Sequence, residues 1–149
     1  MVAAHEVPVP DENAGTARDL RMATFRLSRR LRSERGLDTM TDAQFAVLAT
    51  LKGHGPHTLG ELAEREHVTA PSMNRTVNCL EEPGFVTRTP DESDRRKVII
   101  DITPAGRTLV TETVRRRDLW LAAVVADLSP AQRKTLADAA ALMSEVAAG

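Results

Sequence analysis

The chain has 149 residues, 42% hydrophobic and 28% charged, enough for one compact domain with a core and too few for two independent ones. Its 20 Lys and Arg against 21 Asp and Glu leave a net charge of −1, a balance that does not by itself announce a nucleic-acid binder, and no apolar run approaches the ~20 residues that span a bilayer. One cysteine, Cys79, excludes an intramolecular disulfide and a cysteine-based metal cluster, so a cytoplasmic, reducing setting is expected.

Residues 1–15 lack the basic stretch and apolar run of a signal peptide, and Pro8, Pro10, Asp11, Glu12 and Asn13 suggest a flexible leader. Residues 16–149 are expected to form a single, mainly α domain. Leu20, Ala23, Leu27 and Leu31 make one apolar stripe on a first helix over 16–35, which also carries seven arginines between Arg18 and Arg35, and Gly36 ends it. A second helix over 42–52 would bury Phe45, Leu48 and Leu51 and stop at Gly53, Gly55 and Pro56. A short third helix, 59–66, turns inward Leu62 and Ala63. The turn His67, Val68, Thr69 leads to a fourth helix over 70–81, where Pro71 is tolerated in the first turn. Strands are expected over 85–89 and 97–102, joined by polar residues 90–96. Two helices, 104–127 and 130–147, complete the chain. Thr41 with Gln44, Thr58 with Glu61, and Ser129 with Gln132 each fit a capping box, in which the side chains of the two residues satisfy each other's free backbone amides.

Two short helices around a three-residue turn, followed at once by a hairpin, form a winged helix-turn-helix, here over residues 40–103. On the fourth helix Met73, Val77 and Leu80 share one face, and Pro71, Ser72, Arg75, Asn78, Cys79 and Glu82 lie opposite. Arg75 is suited to a bidentate contact with guanine, and Asn78 to adenine or to phosphate. The hairpin tip concentrates Arg95, Arg96 and Lys97, a shape able to reach a minor groove, with Asp94 placed to pair with a neighbouring arginine. Between His57 and Lys97, however, six cations face eight acids. Affinity for double-stranded DNA must therefore come from local cations and helix N-terminal amides, not from a broad basic field.

The ordered set Leu59-Gly-Glu-Leu-Ala-Glu64, Leu80, Gly84-Phe-Val-Thr-Arg88, Asp91-Glu-Ser-Asp-Arg-Arg96 and Ile102-Thr-Pro-Ala-Gly106 resembles the MarR (multiple antibiotic resistance regulator) family. The resemblance implies a homodimeric regulator dimerising through helices in 16–36 and 104–149 and answering to a small-molecule effector; two-fold symmetry matches an inverted-repeat operator, where repression is the expected mode and activation the open alternative. It places Arg96 as the wing arginine of the minor groove and Asp94 as the acid that orients it, and it puts Ser72 and Arg75 among the residues facing DNA. Pro83 departs from the pattern and suggests a shortened or tilted end to the reading helix.

The DNA-facing set expected from all of this is Thr69, Pro71, Ser72, Asn74, Arg75, Asn78, Arg88, Asp94, Arg95, Arg96 and Lys97. The expected dimer interface is Leu20, Leu27, Leu119, Trp120, Val124, Leu136 and Leu142, apolar surface in excess of what one small lobe can cover. Cys79 has no resolving partner and is read as an unreactive small side chain, the alternative being a redox sensor. His54, His57 and His67 lack the spacing of a zinc site, and no metal or cofactor is expected. No nucleophile elbow, phosphate loop or metal-protease helix suggests catalysis. A winged helix that binds protein instead of DNA is the competing reading. The effector pocket is expected among the first, second and fifth helices, with Phe25, Phe45 and Trp120 as its aromatic candidates.

Overall fold

A computed structural model describes residues 11–34 and 40–149. The elements in chain order are α1 (Asp11–Ser33), α2 (Asp42–His54), β1 (His57–Thr58), α3 (Leu59–Arg65), α4 (Ala70–Glu81), β2 (Val86–Pro90), β3 (Val98–Ile102), α5 (Pro104–Ala126) and α6 (Pro130–Ala148). The chain divides into two units, one containing α1 and the other everything from α2 onward.

Residues 11–15, inside the expected leader, are helical as part of α1. Residues 1–10 and Gly36 lie outside the described residues. At the other end the Ser33 hydroxyl donates to Arg30 O (2.6 Å) and Arg30 pairs with Glu34 (2.7 Å), in a last turn that also carries Arg32.

The second unit is built around one core. Val47, Leu48 and Leu51 of α2, Leu62 of α3, Met73, Val77 and Leu80 of α4, Val86 of β2, Ile100 of β3, and Leu109 and Val110 of α5 are all buried. Phe45 is only partly buried, at the edge of this cluster. Helix α2 packs against α4, α5 and β3, and α4 against α3 and β2. It also runs two residues past the expected end, through Gly53. The stop is Gly55, whose φ of 84° glycine adopts without penalty. The three capping boxes form as expected, at Thr41, Thr58 and Ser129.

The sheet has three antiparallel strands in the order β1-β3-β2. The sequence reading missed β1: its two residues pair His57 with Ile100 and Thr58 with Ile99, and Thr58 then caps α3. In the wing, β2 and β3 pair from Val86↔Ile102 to Pro90↔Val98. Pro90, which cannot donate to a ladder, is tolerated because β2 is an edge strand.

The wing base is tied to α5 at one crowded corner. Thr103 donates from its hydroxyl to Gly84 O (2.6 Å) and from its backbone to Phe85 O (3.0 Å), and its hydroxyl accepts from Gly106 N (3.1 Å). A Cβ on Gly106 would collide with Phe85 O and come within 2.8 Å of Ile102 Cγ1, so only glycine fits.

Candidate nucleic-acid interface

The reading helix is held by its own chemistry. Thr69 Oγ1 accepts from Ser72 N (3.2 Å), which caps the first turn, and Pro71 sits in that turn where its missing N–H costs nothing. Both helices of the motif end alike. Val68 N donates to Ala63 O (3.0 Å) and His67 N to Glu64 O (3.2 Å), while Phe85 N donates to Leu80 O (2.9 Å) and Gly84 N to Glu81 O (2.9 Å). This closure needs a left-handed residue. Gly84 supplies it at φ 84° after α4, and His67 supplies it at φ 53° in the turn that has no glycine. Pro83 is accommodated in the second closure, and α4 keeps its expected last residue, Glu81.

Met73, Val77 and Leu80 are buried beneath α4, and Pro71, Arg75, Asn78, Cys79 and Glu82 are exposed on it. Ser72 and Asn74 are partly exposed. The Arg75 side chain makes no hydrogen bond or ion pair among the described residues, which leaves its five donors available.

Arg88 is placed differently from the other expected DNA-facing cations. Its Nη1 donates to Asn74 Oδ1 (3.1 Å), its Nη2 to Asn74 O (3.3 Å) and Asn78 Oδ1 (2.6 Å), and its Nε lies 3.6 Å from Glu81. The guanidinium thus bridges β2 to a stripe of α4 at i, i+4 and i+7. The signal was present in the sequence: Arg88 is two residues from Val86, and strand parity puts both on the face that packs against α4.

At the wing tip, Asp94 accepts from Arg96 N (3.1 Å), Nε (3.1 Å) and Nη2 (3.4 Å). The Arg96 side chain is nevertheless 91% exposed, so the carboxylate aims the guanidinium without covering it. These hydrogen bonds, the side-chain bond first, hold the Asp94 carboxyl below its ordinary value, with Lys97 adding a smaller charge effect. Asp91 accepts from Ser93 N and Oγ (both 3.1 Å), while Asp91 N donates to Lys97 O (3.0 Å) and closes the turn. Arg95 and Lys97 are exposed beside Arg96.

The remaining candidates fall into place around this site. Cys79 is exposed on α4 and lines a shallow groove with Met40, Gln44, Leu80, Pro83 and Phe85. His57 Nδ1 lies 2.7 Å from Gly55 O, and its Nε2 lies 3.5 Å from Arg65. No group of three His, Cys, Asp or Glu side chains that could hold a metal occurs among the described residues. Of the expected interface residues, Leu119, Val124, Leu136 and Leu142 are exposed on α5 and α6, Trp120 is half-buried on α5, and Leu20 and Leu27 are exposed on α1. The Phe45 ring is covered by Arg117, whose guanidinium carbon sits 4.4 Å from its centroid.

A helix with one buried and one open face, entered through a tight turn and followed by a hairpin that aims an arginine outward, is the architecture of a winged-helix DNA-binding transcription regulator. Residues 40–98 match the MarR family model. Over 133 residues the chain is 40% identical to an uncharacterised HTH-type transcriptional regulator, Mb0904 of Mycobacterium bovis, covering 89% of this chain and 93% of that one. It is 35% identical over 71 residues to the HTH-type transcriptional repressor NicR of Pseudomonas putida, covering 48% and 45% respectively. The structure of Bordetella bronchiseptica BpsR, solved in work on the regulation of its DNA binding by 6-hydroxynicotinic acid, superposes with a TM-score of 0.64 at 25% identity over 93% of this chain and 98% of that one. The chain belongs to the MarR family of transcription regulators.

Proposed function

We propose that this regulator acts in the cytoplasm as a ligand-responsive homodimeric repressor of an inverted-repeat operator, with no catalytic role. The observation that carries the reading is the Asp94–Arg96 pair, a guanidinium held by 3.1 Å bonds yet open to solvent at the end of a two-stranded ribbon. That cation suits a minor groove, where narrowing deepens the negative potential. Thr69, Pro71, Ser72, Asn74, Arg75 and Asn78 are assigned to the adjacent major groove, with Arg95 and Lys97 on the flanking phosphates. Arg88 acts from behind α4.

Dimerisation is supported by the apolar side chains left exposed on α5 and α6, in residues 104–149, and on α1. A two-fold dimer sets its reading helices about one DNA turn apart, roughly 34 to 36 Å. Repression and control by a small effector are supported by what the names of NicR and the BpsR work say of those proteins.

Footprinting on DNA flanking the protein's own coding region tests the reading. It is expected to show one protected inverted repeat, with log affinity falling against log salt at about −0.9 per phosphate neutralised. A flat salt dependence or an unprotected region overturns it and favours the competing reading, protein binding.

A further inference from the structure

Asn78 shares the exposed face of α4 with Arg75, three residues before it, so both present to whatever that face reads. An asparagine that reads adenine does so with both ends of its amide, accepting from N6 through Oδ1 and donating to N7 through Nδ2. In this chain one of the two acceptor positions of Oδ1 is already taken. Arg88 Nη2 sits 2.6 Å from Asn78 Oδ1, and Arg88 Nη1 sits 3.1 Å from Asn74 Oδ1. Arginine has donors and no acceptor, so chemistry fixes which end of each amide faces it. The NH2 group of each amide is therefore the end not bonded to Arg88. A guanidinium bonded to the carbonyl oxygen also withdraws charge from it, which weakens it as an acceptor and strengthens the N–H groups as donors.

We propose that Arg88 is a positioning residue that sets base specificity: by taking one acceptor position on each side-chain oxygen of Asn74 and Asn78 and drawing charge from it, it makes the centre of the reading helix a better donor than acceptor, so that Asn78 favours guanine over adenine. Guanine offers two neighbouring acceptors in the major groove, N7 and O6, while adenine replaces the second with a donor. The Arg88–Glu81 contact at 3.6 Å holds the guanidinium in place from its other edge. The idea rests on the DNA-reading function above and adds to it which base class Asn78 recognises.

The test is selection of bound sequences from a randomised double-stranded DNA pool by the full-length protein, its Asn78→Ala variant and its Arg88→Leu variant, with thermal melting of each. Wild type is expected to select guanine at one position of each half-site, on the order of tenfold over adenine. Asn78→Ala is expected to relax that position alone, and Arg88→Leu to move it toward adenine by freeing the amide oxygen. If Asn78→Ala relaxes an adenine position or none at all, the proposal is overturned while DNA reading stands. A uniform loss across all sequences in Arg88→Leu, with the guanine preference intact, also overturns it, since that is what a purely structural strut would give. Should Arg88→Leu not fold, the wild-type and Asn78→Ala comparison decides alone. Failure of wild type to select any DNA defeats the DNA-reading function itself.

Discussion

The lobe from α2 to β3 and the helix α6 are opposite solutions to the same problem. The lobe contributes nearly every buried side chain of its unit, together with Leu109 and Val110 at the start of α5. Helix α6 contributes none, and Leu136 is 48% exposed, Leu142 61% and Val146 69%. Nineteen residues of helix whose apolar side chains stay in water gain little from tertiary packing, which is where most helical stability comes from. A capping box at Ser129 and Arg133, which donates to Leu128 O (3.1 Å) and Ala126 O (3.3 Å), hold its start. The lobe is closed on itself, and α6 is shaped for a surface supplied from outside it, which the proposed function assigns to a second copy.

The sharpest way to break that comparison is to charge the open helix. Leu136→Glu with Leu142→Glu is expected to leave the lobe's melting and circular dichroism intact, because neither side chain is buried. Light scattering should then report monomers. Operator affinity should fall about 10²- to 10⁴-fold, because two linked half-site contacts become one. A dimer that persists in this variant would refute the assignment of α6.

The converse change acts inside the closed region. Gly106→Ala puts a methyl group against Phe85 O, in the corner where Thr103 ties the wing base to α5. Overpacking against backbone costs about 1 to 3 kcal/mol, and denaturant unfolding should show the loss. The shift should appear in unfolding of the lobe while assembly at high protein concentration is retained. An unchanged midpoint would mean that the corner can open without cost.

A smaller change of opposite sign is expected in the turn before the reading helix. His67 holds φ 53°, a left-handed conformation that carries a steric penalty for a side chain with a Cβ and none for glycine. His67→Gly should stabilise the lobe by about 0.5 to 1 kcal/mol, after the extra chain entropy of glycine is subtracted. Its 3.0 and 3.2 Å closing bonds are backbone bonds and survive the change. Destabilisation on measured unfolding would show that the imidazole contributes a contact worth more than the strain.

These cases mark what the sequence could reveal. The helix starts were readable because a cap is a local bargain between two residues three apart, as at Thr41 and Gln44, and the face of α4 was readable because burial follows helical period. Strand β1 was not, since two residues carry no period and exist as a strand only because Ile99 and Ile100 arrive from forty residues away. Arg88 was readable in part. Strand parity puts it on the α4 side of β2, and its contacts with Asn74, Asn78 and Glu81 needed the packing of strand on helix to be seen. The acid count of the lobe misleads: Glu61 caps α3, Glu66 accepts from Thr50 (3.4 Å), Glu81 faces Arg88, and Asp91 and Asp94 build the wing turn. Those acids serve the fold, and Arg75, Arg95 and Lys97 keep exposed side chains.

The smallest expected effect probes that last point, at the Asp94–Arg96 pair. Asp94→Asn keeps an oxygen able to accept from Arg96 N but removes the carboxylate charge that aims the guanidinium. An exposed ion pair is worth little, so operator affinity should drop less than about fivefold, and high salt should erase the difference. Because the folded carboxyl titrates below its ordinary value of 3.8, the pair's contribution is complete above that value. It is lost only as pH falls through the lower, folded value. Across neutral pH the ratio of wild-type to Asp94→Asn affinity should therefore be flat. A ratio that changes between about pH 6 and 8 would mean that a group other than Asp94 controls the wing, since an unperturbed carboxylate is already ionised there.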